Sequence, residues 1–198
     1  MKLYITAGSP YARMARIVVI EKGLEKRVKV IVAQTRIANS PYYAINPSGR
    51  VPYLVRDDGV GMEESQVICD YLDQLEGKPQ FQASGWEARR LEALARSMLD
   101  GLAVWGRETA RPQNERSPSV VAHEADRAMR MADLWEREVA HPLMQGPLNM
   151  IHLTLACALG MEARNPHFHW RPRHPALCAW YEPIAARPSF AATAPPRG

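Results

Sequence analysis

Residues 3–12 read Leu3-Tyr4-Ile5-Thr6-Ala7-Gly8-Ser9-Pro10-Tyr11-Ala12. The first four alternate as a short strand, which Ala7-Gly8 breaks. Ser9 then starts a helix, with a side-chain oxygen at the N-cap and Pro10 at the first helical position, where a missing N–H costs nothing. Met14, Ile17, Val18 and Ile20 give the helix an apolar face, and Gly23 closes it. Working outward, residues 28–32 and 51–55 have strand composition. The turn Asp57-Asp58-Gly59 leads to a short fourth strand at 60–62. Residues 64–76 form a helix with Val67, Ile68, Tyr71, Leu72 and Leu75 on one side, ended by Gly77. The order β-α-β-loop-β-β-α defines an α/β domain over 1–77.

Residues 78–85 have linker composition, and beyond them every strong signal is helical. Leu91, Leu94, Ala95, Met98, Leu99 and Leu102 share one helical face, as do Val121, Ala125, Ala128, Ala132, Trp135 and Val139. Residues 149–161 are apolar all round, as a buried central helix is. A last helix spans 176–186, with Pro183 expected to kink or shorten it, and 187–198 reads as a Pro-containing tail. The chain is therefore expected to be an α/β domain followed by an all-α domain over 86–198.

The composition closes off several functional classes. Of 198 residues, 46% are hydrophobic and 23% charged, which excludes whole-chain disorder. The net charge of +4 comes from scattered residues. Lys26-Arg27-Val28-Lys29, Arg89-Arg90 and Arg171-Pro172-Arg173 are the densest groups, too short for a nucleic-acid tail, so no nucleic-acid partner is expected. Cys69, Cys157 and Cys178 are odd in number, far apart and placed in apolar helices, arguing for small hydrophobes in a reducing cytoplasm. No apolar stretch has the length of a signal peptide or a membrane span, so no membrane partner is expected. His167, His169 and His174 lack a neighbouring carboxylate and read as loop histidines, so no metal is expected.

Three stretches carry chemistry-bearing residues: Ser9-Pro10-Tyr11-Ala12, Asn46-Pro47-Ser48-Gly49-Arg50-Val51-Pro52, and Glu64-Ser65-Gln66. Each has a plain structural reading. Ser9 serves as an N-cap worth about 1 kcal/mol, Pro52 interrupts an edge strand, and Glu64 and Ser65 suit the positive end of a helix.

Taken together and in order, they resemble the thioredoxin-like half of the cytosolic glutathione S-transferases, and the helical half is similar as well. Ser9-Pro10-Tyr11-Ala12 resembles the glutaredoxin Cys-Pro-Tyr-Cys turn without its cysteines. Arg50-Val51-Pro52 resembles the family's Val-Pro turn with its cis proline, and Glu64-Ser65 its Glu-Ser pair. His174-Pro175-Ala176-Leu177-Cys178-Ala179-Trp180-Tyr181 and Arg187-Pro188-Ser189-Phe190 are similar to its last helices. The resemblance covers nearly the whole chain and points to bacterial members with an active-site serine.

That resemblance implies glutathione as co-substrate, a small hydrophobic electrophile as its partner, a homodimer, and detoxification as the role. Ser9 would donate to the sulfur from a helix N-terminus, stabilising the thiolate; Tyr4, Thr6 and Tyr11 are rival hydroxyls. Val51, next to a cis Pro52, would pair with the tripeptide backbone, and Glu64 and Ser65 would hold the γ-glutamyl end. Arg50, or a residue among 34–36, would meet the glycyl carboxylate. Without a thiol at position 9, disulfide exchange has no attacking group. The electrophile is expected against Tyr11, Met98, Trp105, Arg107 and Arg111, although Met98 and Trp105 also have core spacing and the two arginines also suit a solvated helix end. The family's Asp three residues after the central helix cap is His152 here, which removes the reciprocal capping box. Two other readings keep the same fold: a non-catalytic scaffold of the stringent starvation type, and a glutathione-dependent isomerase, dehalogenase or peroxidase.

Overall fold

The computed structural model describes residues 1–75 and 77–196, which fall into two compact units. The first comprises Met1–Gln82 with Ala192–Pro195, and the second Ala83–Ala191.

In the first unit, β1 (Lys2–Ile5) leads to α1 (Pro10–Glu21), β2 (Lys29–Val32), β3 (Tyr53–Val55), β4 (Gly61–Met62) and α2 (Ser65–Gln74). The sheet order is β2-β1-β3-β4. The strands β1 and β2 run parallel, as a helical crossover requires. The β1–β3 and β3–β4 pairs are antiparallel, with Tyr4 opposite Tyr53 and Leu54 opposite Met62. Leu3, Met14, Ile17, Val18, Leu54, Ile68 and Leu72 are fully buried and form the packing between α1, α2 and the sheet.

Local chemistry sets the ends of α1. Ser9 is its N-cap, accepting from the Ala12 N–H at 3.2 Å. At the other end Leu24 N–H reaches Val19 O at 2.8 Å and Gly23 N–H reaches Ile20 O at 3.0 Å. This double bond closes the helix only with a residue at positive φ between the two, and Gly23 supplies φ +65°.

Residues 78–82, expected to stand apart as a linker, are tied to the first unit through a buried ammonium. Lys22 Nζ donates to Asp73 O at 2.7 Å, Asp73 Oδ1 at 3.2 Å and Pro79 O at 2.7 Å. Asp73 Oδ2 accepts from the Phe81 and Gln82 N–H groups at 2.9 and 3.2 Å. The Lys22 and Asp73 side chains are 0% and 4% exposed. The Lys78–Pro79 peptide is cis, which nothing in the sequence reading anticipated.

The second unit holds α3 (Trp86–Thr109), α4 (Pro118–Glu138), α5 (Pro142–Gln145), α6 (Met150–Leu159), α7 (Pro175–Ala185) and α8 (Pro188–Ala192), whose last residue groups with the first unit. The helix α6 is buried along its whole length, as its composition predicts, and packs on α3, which also packs on α4. Its cap is Asn149, whose Oδ1 accepts from Ile151 N–H at 3.0 Å and His152 N–H at 3.2 Å. The N-terminal amides of α7 are satisfied from α4, by Glu136 accepting from Ala176 and Leu177 at 2.9 Å each.

Two expectations are corrected. The helix α7 does not stop at Pro183 but continues to Ala185. Proline costs an interior helix one donor, and with Pro183 two residues from the end only the last turn bears that loss. The tail contains α8, started by Pro188 at a position that favours proline. At its end, Arg16 donates to Ala192 O at 3.2 Å and Arg13 Nε to Thr193 Oγ1 at 3.4 Å, binding the segment to α1. Among the described residues no helix is long and apolar enough to cross a membrane.

Candidate functional site

The sheet register gathers the three chemistry-bearing stretches at one end. Tyr4 faces Tyr53, so the end of β1, leading to Ser9, lies beside Val51–Pro52. Met62 faces Leu54, so the chain leaving β4 brings Glu63, Glu64 and Ser65 to the same end.

Ser9 is half-buried. Its oxygen accepts from the Ala12 N–H, which leaves the hydroxyl proton to donate outward at the positive end of the α1 dipole. Tyr4 is buried in a small cluster with Tyr42 and Ala33, its ring 5.6 Å from that of Tyr42. That packing makes Tyr4 a core side chain, and of the rival hydroxyls Thr6 and Tyr11 remain half-exposed.

The Val51–Pro52 peptide is cis, as the resemblance implies. The loop before it is held by its own Asn46 and Ser48 together with Tyr42 and Glu63, which the sequence reading passed over. Arg50 O accepts from Tyr42 Oη at 2.6 Å and from Asn46 Nδ2 at 3.0 Å. Asn46 Oδ1 accepts from Ser48 N–H at 3.1 Å, and Ser48 Oγ accepts from Arg50 N–H at 3.2 Å. Glu63 closes the network, accepting from Asn46 Nδ2 at 3.1 Å and from the Ser48 hydroxyl. Those two hydrogen bonds hold the Glu63 carboxyl below its ordinary titration range. The turn also needs Gly49, which sits at φ +66° where a Cβ would come within 2.6 Å of the Tyr43 ring.

Glu64 is the N-cap of α2 with φ +69° and ψ +118°, outside the basins open to residues with a Cβ. Its Oε1 accepts from Ser65 Oγ at 3.2 Å and Gln66 N–H at 3.5 Å. Glu64 is exposed and Ser65 buried. Glu63, one residue before, therefore joins the Val51–Pro52 loop to the start of α2. Only the Asn46-Pro47-Ser48-Gly49 turn chemistry hinted at this network; an isolated Glu63 carries no sequence signal.

The residues expected around the electrophile differ in exposure. Met98 and Trp105 are 1% and 3% exposed, and Trp105 packs edge-on against Phe168 with ring centroids 6.1 Å apart. Both are core residues of the second unit, because helical apolar spacing marks a covered face and the core covers this one. Arg111 is exposed and occupied by its own helix end, bonding Glu115 O at 3.1 Å and pairing with Glu108 at 3.8 Å. Arg107 is exposed and Tyr11 half-buried. Arg50 and Arg36 are exposed, Arg36 with φ +60°. Among the described residues no group of three His, Cys, Asp or Glu could hold a metal ion. His167 and His169 are exposed, whereas His174 is buried with Nε2 2.9 Å from Asp133 Oδ1.

A four-stranded mixed sheet with a capped helix start and a cis proline loop at one end, followed by an all-helical unit, defines a thioredoxin-like domain joined to a helical domain. Residues 3–80 match the family model for the glutathione S-transferase N-terminal domain. The whole chain is 29% identical to an uncharacterized GST-like protein, YibF, of Escherichia coli strain K12, covering all of both proteins. It is 31% identical to a glutathione transferase family member from Pseudomonas fluorescens Pf-5 solved with bound glutathione, with a TM-score of 0.88 over 98% of each chain. A structure of a family member from the same organism with bound S-(propanoic acid)-glutathione gives 31% identity and a TM-score of 0.84, over 99% of this chain and 100% of that one. The chain belongs to the glutathione S-transferase family.

Proposed function

We propose that this protein is a glutathione transferase that binds glutathione at the Ser9, Val51–Pro52 and Glu64–Ser65 end of the sheet and activates its thiol with Ser9. The observation that carries the reading is the Ser9 hydroxyl, which caps α1 with its oxygen and keeps its proton for a partner. A thiol resembling free cysteine titrates near pH ~8.5 and is mostly protonated at neutrality. Lowering that value by about two units takes roughly 2.7 kcal/mol of preferential thiolate stabilisation. A charge-assisted hydrogen bond and a helix N-terminus together supply an amount of that order.

In this reading the Val51 backbone pairs with the cysteinyl unit, Glu64 receives the γ-glutamyl ammonium, and Ser65 its carboxylate. Arg50 or Arg36 meets the glycyl carboxylate. The acceptor is a small hydrophobic electrophile approaching Tyr11, and the working form is a cytoplasmic homodimer. The relatives solved with glutathione and its S-propanoic acid derivative support the ligand class.

The test is a glutathione titration followed by thiolate absorbance between pH 5 and 9. A bound-thiol pKa well below that of free glutathione is expected, whereas an unshifted value overturns thiol activation. Ser9→Ala should lower turnover about a hundredfold while leaving glutathione affinity within a few-fold. An unchanged rate would move the role to Thr6 or Tyr11.

A further inference from the structure

The sheet of the first unit is open along β2. The order β2-β1-β3-β4 makes β2 and β4 its edges, and β4 is blunted by having two residues against four in β2. Lys29 N–H donates to Met1 O at 3.0 Å and Ala33 N–H to Ile5 O at 2.8 Å. Successive residues of a strand turn their amides to opposite sides. Lys29, Ile31 and Ala33 therefore bond to β1, while the N–H and C=O groups of Val30 and Val32 point away from it in the plane of the sheet. Among the described residues no strand lies on that side.

The side chains along this edge sort by face. Val30 stands opposite Leu3 and Val32 opposite Ile5. Leu3 and Ile5 are buried, yet Val30 and Val32 are 42% and 70% exposed. The apolar face of the sheet thus runs on past β1 without cover. On the other face Lys29 stands opposite Lys2, and both are exposed. Like charges placed directly opposite each other are destabilising. Among the described residues neither lysine has an ion-pair partner to relieve that repulsion.

We propose that the β2 edge binds an extended acidic segment of another protein, which joins the sheet as a further strand antiparallel to β2. Its backbone exchanges hydrogen bonds with Val30 and Val32, its apolar side chains cover those valines, and its acidic side chains lie beside Lys29 and Lys2. The two-residue period of a strand delivers both matches at once. Residues opposite Val30 and Val32 fall on the apolar face, and those between them fall on the lysine face. Neighbouring strands lie about 4.8 Å apart, which a Glu–Lys pair spans. Lysine on an edge strand also guards against edge pairing, and here the guard selects the partner. A second copy of this chain pairing through β2 would add two more lysines to the same face, whereas an acidic strand neutralises the two present. The proposal is independent of the glutathione reading, because the two sites share no residue.

The experiment is an NMR titration of the full chain with three blocked peptides. They are acetyl-Glu-Val-Glu-Val-Glu-Val-amide, its analogue with Lys in place of Glu, and the Glu peptide N-methylated at its valines. The acidic peptide should bind with a Kd below about 1 mM and slow hydrogen exchange at the Val30 and Val32 amides at least about tenfold. The Lys and N-methylated peptides should each bind at least about tenfold more weakly. Because these changes are made in the ligand, misfolding cannot mimic them. Lys29→Glu should weaken the acidic peptide and strengthen the Lys peptide, with circular dichroism verifying the fold. No binding of the acidic peptide, equal affinity for the three, slowed exchange away from β2, or affinities unmoved by Lys29→Glu would each overturn the proposal. Exchange at Val30 and Val32 that slows with protein concentration alone would seat a second copy on the edge, and would overturn it too.

Discussion

Asn46 and Asn149 are both buried asparagines, each next to a helix or turn start, yet they use their amides in opposite ways. Asn149 spends its oxygen on the first turn of α6 and its Nδ2 on Leu143 O at 3.0 Å, so all its bonding serves the second unit's interior. Asn46 ties Ser48, Arg50 and Glu63 into one loop, while Ser48, Arg50, Glu63 and Glu64 stay exposed. One amide closes a core; the other holds a frame whose charged ends face outward. Polar groups used inward contribute to stability; under the proposed function the frame with exposed ends serves glutathione binding, and mutation should separate the two.

The largest effect belongs to the inward class. Asp73→Ala takes the Asp73 carboxylate from the buried Lys22 ammonium and from the Phe81 and Gln82 N–H groups. Breaking one side of such a pair costs about 3–5 kcal/mol, which chemical denaturation should show. Asn149→Ala removes a cap and a buried bond, for about 2 kcal/mol, with glutathione affinity unchanged. Asn46→Ala should reverse that pattern. Arg50 O keeps only Tyr42, the loop before Pro52 loosens, and glutathione affinity falls about tenfold for a smaller loss of stability. Equal affinity losses in the two asparagine variants would erase the distinction between frame and core.

The smallest effect tests the frame by pH. The carboxyl of Glu63 is held below its ordinary range by Ser48 and Asn46. The stabilisation it provides is therefore complete above about pH 4.3, the value for a free glutamate, and is lost as pH falls through its lower folded value. An NMR titration of Glu63 should show that depressed midpoint, and Ser48→Ala should raise it. A midpoint unmoved by Ser48→Ala would remove Ser48 from the network.

Much of the fold was legible because its signals are short-ranged. Ser9-Pro10 marks the start of α1 from a contact three residues long, Asn149 does the same for α6, and the apolar sides of α1, α2 and α3 follow from helical periodicity. The candidate site was legible in part: Ser9, Asn46, Pro52 and Glu64 stand out as types at turns, but Tyr42 and Glu63 do not. Glu63 meets Asn46 across 17 residues, and no local pattern specifies that pairing.

By itself, then, the sequence determined the order of elements, the helix caps and the α/β-then-α division, because each depends on residues within about a turn of one another. Tertiary structure alone decided which polar groups meet. It brought Lys22 to Asp73 and Pro79, Arg13 to Thr193 across 180 residues, and Glu63 to the loop before Pro52. It also decided that Met98 and Trp105 line a core, because periodicity shows that a helix face is covered and only packing shows by what.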